Sequence, residues 1–286
     1  MTEIISVLTD KYVALVSDRR VTWEDGTQED TDTKTFNLFG QFLMGFTGFA
    51  RIGGFRMERW VADVLRGVPT EEYFNVLFRE IGAVFNQIRR SERKPQAFLA
   101  TGYASLQPGG RVHPMNVVIS NSIDREGNFS RSALQREFTA YMEPLGNRRQ
   151  VVRSVGYPMP QKVRQILEHK IRMVTKADPS NPERAAGPLV YALRETAEKS
   201  DGWVGKAALL ASLPRCAVPS PGMVTGRMEH LDFRRHAVSL YLPDRVRNVR
   251  DASVYMPALI SPHVQTIGFK MYPGPPRQPM GKQDGF

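Results

Sequence analysis

Thr2-Glu3-Ile4-Ile5-Ser6-Val7-Leu8-Thr9-Asp10-Lys11-Tyr12-Val13-Ala14-Leu15-Val16-Ser17-Asp18 is the stretch on which the fold turns. Ile4–Leu8 and Tyr12–Ser17 are short apolar runs, and Thr9-Asp10-Lys11 between them has turn chemistry. The pattern predicts a hairpin of buried strands. Thr2 then stands at the very start of the first strand. If Met1 is removed, this residue carries both a hydroxyl nucleophile and a free α-amine, and the amine can serve as general base for the hydroxyl.

Working outward, Thr35–Leu38 and Gln41–Phe46 predict a second hairpin around Phe39-Gly40. Ile52, Phe55, Trp60, Val64 and Leu65 recur at near-helical spacing, ending at Gly67-Val68-Pro69. Thr70-Glu71-Glu72 caps a second helix, whose stripe is Phe74, Leu77, Phe78, Ile81, Phe85 and Ile88. Strands are expected at 97–105, 115–121 and 138–142, helices near 161–174 and 183–199, and a strand at 207–213. Helices segregated from antiparallel strands point to an α+β fold. A four-layer αββα sandwich, with helices outside two central sheets, is the simplest way to bury these faces.

Residues 1–213 are expected to form this core domain and 214–272 a C-terminal extension packing on it. Within the extension, strands are expected at Val238–Leu242, Ser253–Met256 and Val264–Met271. Residues 273–286, rich in Pro, Gly, Gln and Lys, read as a disordered tail.

Three residues share one register with Thr2 at the start of the first strand. Asp18 lies in Ser17-Asp18-Arg19-Arg20-Val21-Thr22, Lys34 in Thr33-Lys34-Thr35-Phe36, and Gly48 in Gly45-Phe46-Thr47-Gly48. Their order and spacing after Thr2 resemble the β-type subunits of the proteasome and their bacterial HslV-like relatives, N-terminal nucleophile hydrolases. Ser200-Asp201-Gly202-Trp203-Val204-Gly205 resembles the family's stretch after its last long helix. The resemblance covers roughly residues 2–213.

It implies a threonine-type hydrolase of peptide bonds, with Thr2 as nucleophile and Asp18, Lys34, Gly48 and Asp201 as catalytic partners. Gly48 would offer a backbone N–H to the oxyanion. Thr22 would bind an extended peptide through its backbone, and Phe46 would wall a pocket. It also implies a peptide or protein substrate, a homo-oligomer such as a ring, and an unfoldase partner. The physical roles stand beside the resemblance. An α-amine titrates at about 7.7–8.0, so it is partly neutral near physiological pH. A lysine ammonium close by lowers that value through like-charge proximity, and an aspartate would hold the lysine in place.

The sequence also departs from the family. Its serine in a glycine-flanked turn before the third helix is met here by Arg153-Ser154-Val155-Gly156, and Val204 stands where a second serine is common. Both serines ordinarily orient the amine. A catalytically inactive scaffold subunit is therefore the alternative reading.

Composition narrows the remaining classes. No apolar stretch reaches the ~20 residues of a membrane helix. No basic-then-apolar leader opens the chain, and the single cysteine, Cys216, has no internal partner for a disulfide, so cytoplasm is the expected location. The net charge is +10. The basic pairs are scattered, at Arg19-Arg20, Arg89-Arg90, Arg148-Arg149 and Arg234-Arg235, so a solvated or partner-facing surface is favoured over a nucleic-acid site. His113, His169, His230, His236 and His263 lack ligand spacing, and no phosphate loop is seen, so neither metal nor cofactor is expected.

Overall fold

The apolar runs on either side of Asp10 form β1 (Glu3–Thr9) and β2 (Tyr12–Asp18), antiparallel, with Ile5 opposite Val16 and Val7 opposite Ala14. The computed structural model describes residues 2–22, 27–30, 33–38, 40–52, 55–69, 72–87, 94–105, 112–124, 128–130, 134–215, 237–246, 251–254, 258–260 and 265–266. The Thr9 hydroxyl closes the hairpin: it accepts from the Lys11 and Tyr12 N–H groups and donates to the Tyr12 carbonyl.

The chain continues through β3 (Val21–Thr22), β4 (Gln28–Glu29), β5 (Thr35–Leu38), β6 (Phe42–Thr47), β7 (Arg51–Ile52) and β8 (Phe55–Arg56). Then come α1 (Met57–Val64), α2 (Tyr73–Gln87), β9 (Ala97–Ser105), β10 (Val112–Ser120), β11 (Thr139–Pro144) and β12 (Gln150–Gly156). They are followed by α3 (Gln161–Ala177), α4 (Glu183–Glu198), β13 (Ala208–Pro214), β14 (Val238–Leu242), β15 (Ser253–Val254), β16 (Ala258–Ile260) and β17 (Gln265–Thr266).

A six-stranded sheet has the order β12-β1-β2-β13-β14-β15, and a seven-stranded sheet the order β11-β10-β9-β6-β5-β16-β17. Every pairing in them is antiparallel except β16 along β5. The fold is thus mixed α/β, with two largely antiparallel sheets and four helices among the described residues.

Two expectations are revised. The first helix starts at Met57, not near Ile52, because β7 and β8 occupy the residues before it. Consecutive glycines at 53–54 penalise a helix there by about 1 kcal/mol each. The second revision is β12. The sequence reading places no strand there, yet Arg153-Ser154-Val155-Gly156 ends a seven-residue strand paired with β1. Val151, Val152 and Val155 favour that extended backbone.

Alternation along β1 and β2 explains why both runs are apolar throughout. Ile5, Val7, Tyr12, Ala14 and Val16 pack with Val163, Leu167 and Ile171 of α3 and Leu189 and Leu193 of α4. Ile4, Leu8, Val13 and Leu15 turn the other way, against Leu43 of β6, Leu99 of β9 and Val118 of β10. A third cluster joins Phe36, Phe42, Met44 and Phe46 to Met57 and Val61 of α1 and Leu77, Ile81 and Phe85 of α2. Complete burial of each such Leu, Ile or Phe stabilises by about 1.5–3 kcal/mol. Both faces of β1 are therefore covered, and its first residues are held between packed layers.

The strand expected at 238–242 is β14, paired with β13, with Val238, Leu240 and Leu242 in the α3–α4 cluster. Residues past 213 thus continue the six-stranded sheet, and β16 extends the other. Cys216, most of Val264–Met271 and the tail 273–286 lie outside the described residues.

Candidate active site

Thr2 precedes β1 and is nearly buried, 4% exposed. Its carbonyl accepts from the Tyr157 N–H at 2.9 Å and from the Thr47 hydroxyl at 3.3 Å. The residue at position 2 is thus fastened from both sheets, because Tyr157 follows β12 and Thr47 ends β6. Gly156 makes the close approach possible. It lies at φ +111°, and a Cβ on it would stand 1.9 Å from the Thr2 carbonyl oxygen. Gly156→Ala is expected to displace Thr2 and to cost at least about 1–3 kcal/mol of backbone strain. Thermal unfolding measures the cost, and wild-type stability in the variant would contradict the packing described.

Lys34 enters from the segment before β5. Its ammonium donates to Thr2 Oγ1, to the Arg20 carbonyl and to Asp18 Oδ1, the last at 3.4 Å. Three donors meet three acceptors, so the lysine head has a defined orientation. The pair is sealed from solvent, with the Lys34 side chain 3% exposed and Asp18 fully buried.

Asp18 ends β2. Its Oδ1 also accepts from the Glu3 N–H at 3.3 Å, and its Oδ2 from the N–H groups of Arg20 at 3.2 Å and Gly205 at 3.0 Å. Burial pushes the Asp18 carboxyl above its ordinary range, while Lys34 and the Gly205 and Arg20 N–H groups pull it back.

Arg20 ties the outer wall together. Its guanidinium forks onto both oxygens of Asp30 at 2.9 and 3.1 Å and donates to the Gly202 carbonyl at 2.9 Å. The 200–205 loop is thereby locked beside Asp18.

The structure therefore brings Thr2, Asp18 and Lys34 into one contact set. Gly48 lies at the end of β6, exposed, at φ +108°, and a Cβ there would stand 2.1 Å from Gln96 Oε1. Glycine is required at that position for both reasons. Thr22 sits in β3, its backbone paired opposite Gln28, and its side chain lies outside what is described. Phe46 is 1% exposed, its ring stacked on Phe36 at 5.6 Å within the α1–α2 cluster, so no face of it is open to a ligand. Asp201 is exposed, at φ 48°. Its loop reaches the site through the Gly205 backbone.

Of the two serine positions, Ser154 pairs opposite Ile5, and Val204 is buried under α3 and α4. Tyr157 is the residue that meets Thr2, through its backbone, while its hydroxyl donates to the Lys199 carbonyl at 3.3 Å.

The residues that the sequence reading gave no role at the site are Gly156, Tyr157, Gly205 and Glu3. Glu3 is fully buried, and neither carboxylate oxygen has a hydrogen-bond partner among the described residues. Burial pushes its carboxyl well above the usual range, the Asp18 charge pushes it further, and Arg164 opposes. By alternation its side chain shares the α3–α4 side of β1 with Ile5 and Val7. Glycine at 156 was the available signal among them.

No family model matches the chain, and no curated protein matches it. Among solved structures the chain is similar to an Anbu (Gly-1) mutant from Hyphomicrobium sp. strain MC1, at 12% identity and a TM-score of 0.43, covering 74% of this chain and 80% of that one. A likeness of that size carries no argument about ancestry or activity. The assignment to the proteasome β-subunit and HslV-like family is corrected accordingly. The motifs behind it are short, and a register of a few polar residues fixes local geometry without fixing descent. No helix among the described residues is long and apolar enough to cross a membrane.

Proposed function

We propose that this chain is an N-terminal threonine hydrolase that cleaves amide bonds, peptides foremost, after removal of Met1. One observation carries the reading: the Lys34 ammonium donates to Thr2 Oγ1 while paired to buried Asp18. The reading includes a four-layer arrangement, with α3–α4 and α1–α2 outside the two sheets, in agreement with the three apolar clusters.

In the proposed reaction the freed Thr2 amine takes the hydroxyl proton and Oγ1 attacks the substrate carbonyl. Lys34 steadies the oxygen as its charge develops, and the Gly48 N–H receives the oxyanion, a donor worth about 3–4 kcal/mol in such sites. Collapse expels the leaving amine with a proton from the Thr2 ammonium and leaves an acyl ester on Oγ1. Water, deprotonated by the same amine, then releases the acid and restores the hydroxyl.

Thr2→Ala is expected to reduce peptide hydrolysis to the uncatalysed rate without changing the far-ultraviolet spectrum. Intact mass gives the companion test. Active protein begins at Thr2, and hydrolysis by protein that retains Met1 would overturn the proposal.

A second reading has its own support. Among the described residues no serine hydroxyl bonds to Thr2, and Tyr157 contributes only its backbone there. An inactive scaffold subunit would account for this. It predicts that Thr2→Ala and wild type are indistinguishable in every hydrolytic assay.

A further inference from the structure

The strongest feature outside the candidate active site is a basic groove along an open strand edge. β12 pairs with β1 on one side and, among the described residues, with nothing on the other. β11, the strand before it in the chain, is likewise the edge of the seven-stranded sheet. A cavity of about 1220 Å³ runs beside this pair of edges, lined by Gln150–Arg153 of β12, the β1–β2 turn and α3.

Its charge is lopsided. The lining holds Lys11, Arg148, Arg149, Arg153, Arg164, Arg172 and Lys176 against Asp10, Glu143 and Glu168. The three acids are already engaged. Glu143 pairs with Arg148 and Arg153, Glu168 with Arg164, and Asp10 with Lys11 and Arg215. Arg149, Arg172 and Lys176 are exposed and have no ion-pair partner among the described residues. Arg172 and Lys176 are four apart and share a face of α3, and Arg149, just before β12, lines the same groove. Among the described residues, three cations without an ion-pair partner thus flank a strand edge whose outward N–H and C=O groups have no strand partner.

We propose that this groove binds an extended acidic polypeptide segment, which adds to the β12 edge as a strand and sets its carboxylates against Arg149, Arg172 and Lys176. The strand edge selects a polypeptide, because its spaced donors and acceptors match another extended backbone. A nucleic acid has no such ladder to offer. The cations select acidic side chains on alternate positions, those that project to one face of an added strand. An open edge is ordinarily a hazard that charge keeps from self-pairing. Here the edge and the charge occupy the same groove, so like copies repel while an acidic strand is drawn in.

The test uses the full chain carrying Thr2→Ala, so that hydrolysis plays no part and the outcome is independent of the proposed reaction. The probe is a fluorescein-labelled peptide alternating Glu and Val, read by polarisation. Binding is expected, and charge reversal at Arg149, Arg172 and Lys176 together is expected to weaken it about tenfold or more. The same peptide N-methylated at alternate residues, with its charge unchanged but its donors removed, is expected to lose binding. Equal binding of the methylated peptide would overturn the strand-addition proposal, leaving only diffuse attraction. Tighter binding of a single-stranded oligonucleotide of equal charge, or no binding of the acidic peptide, would overturn it as well.

Discussion

Lys34→Met is expected to abolish hydrolysis and to destabilise the fold. The lysine holds the Thr2 hydroxyl, the Arg20 carbonyl and Asp18 in one arrangement. Loss of a group that handles protons and charge at the nucleophile lowers turnover by about 10²–10⁴-fold. The stability loss follows from burial. Asp18 has no access to water, and removing one member of a buried pair costs about 3–5 kcal/mol. The cost has a pH signature. Lys34 is the leading influence holding the Asp18 carboxyl down, so without it that carboxyl rises further. A group whose pKa is raised in the folded state contributes stability below its unfolded value, and that contribution is lost as pH rises. The variant should therefore be closest to wild type in acid and fall away through the neutral range. Denaturant melts at several pH values measure this. A deficit independent of pH would show that Asp18 does not depend on Lys34 for its charge.

The second large effect runs the other way. Glu3→Met is expected to stabilise the protein by about 1–3 kcal/mol at neutral pH, the range for removing a buried polar group that has no partner. Glu3 is fully buried, both oxygens lack hydrogen bonds among the described residues, and the neighbouring Asp18 disfavours its ionisation. Its folded pKa is raised, so wild-type stability should decline as pH rises above the ordinary carboxylate range, and this slope should flatten in the variant. Methionine is close in volume and flexible enough to fill the site beneath α3. The Glu3 N–H bond to Asp18 is a backbone contact that methionine keeps, so hydrolysis should persist. A less stable variant would mean that the carboxyl is needed where it stands.

The hairpin at the start of the chain was legible because two apolar runs around Thr9-Asp10-Lys11 admit little else. The Thr2, Asp18 and Lys34 set was legible only through a resemblance in order and spacing, because the contact joins the segment before β5 of one sheet to the β1–β2 pair of the other. What was not legible depends on partners far along the chain. Gly156 reads as a turn residue until the β1–β12 register shows it pressed on the Thr2 carbonyl. Phe46 reads as a pocket wall until the strand's two faces are assigned, and its face belongs to α1 and α2. Asp201 attracts notice as a carboxylate, yet its loop serves Asp18 through the Gly205 N–H. Burial of a charged residue such as Glu3 cannot be read from local pattern at all, because strand propensity and polarity both argue for exposure.

The central claim is that the Thr2 hydroxyl, with its own freed amine, is the nucleophile. Mass spectrometry of protein treated with an acylating β-lactone tests it most directly. The account predicts a single adduct on an N-terminal fragment beginning at Thr2, absent from Thr2→Ala and strongly reduced in Lys34→Met. An adduct elsewhere, or none on correctly processed protein that hydrolyses peptides, would contradict it.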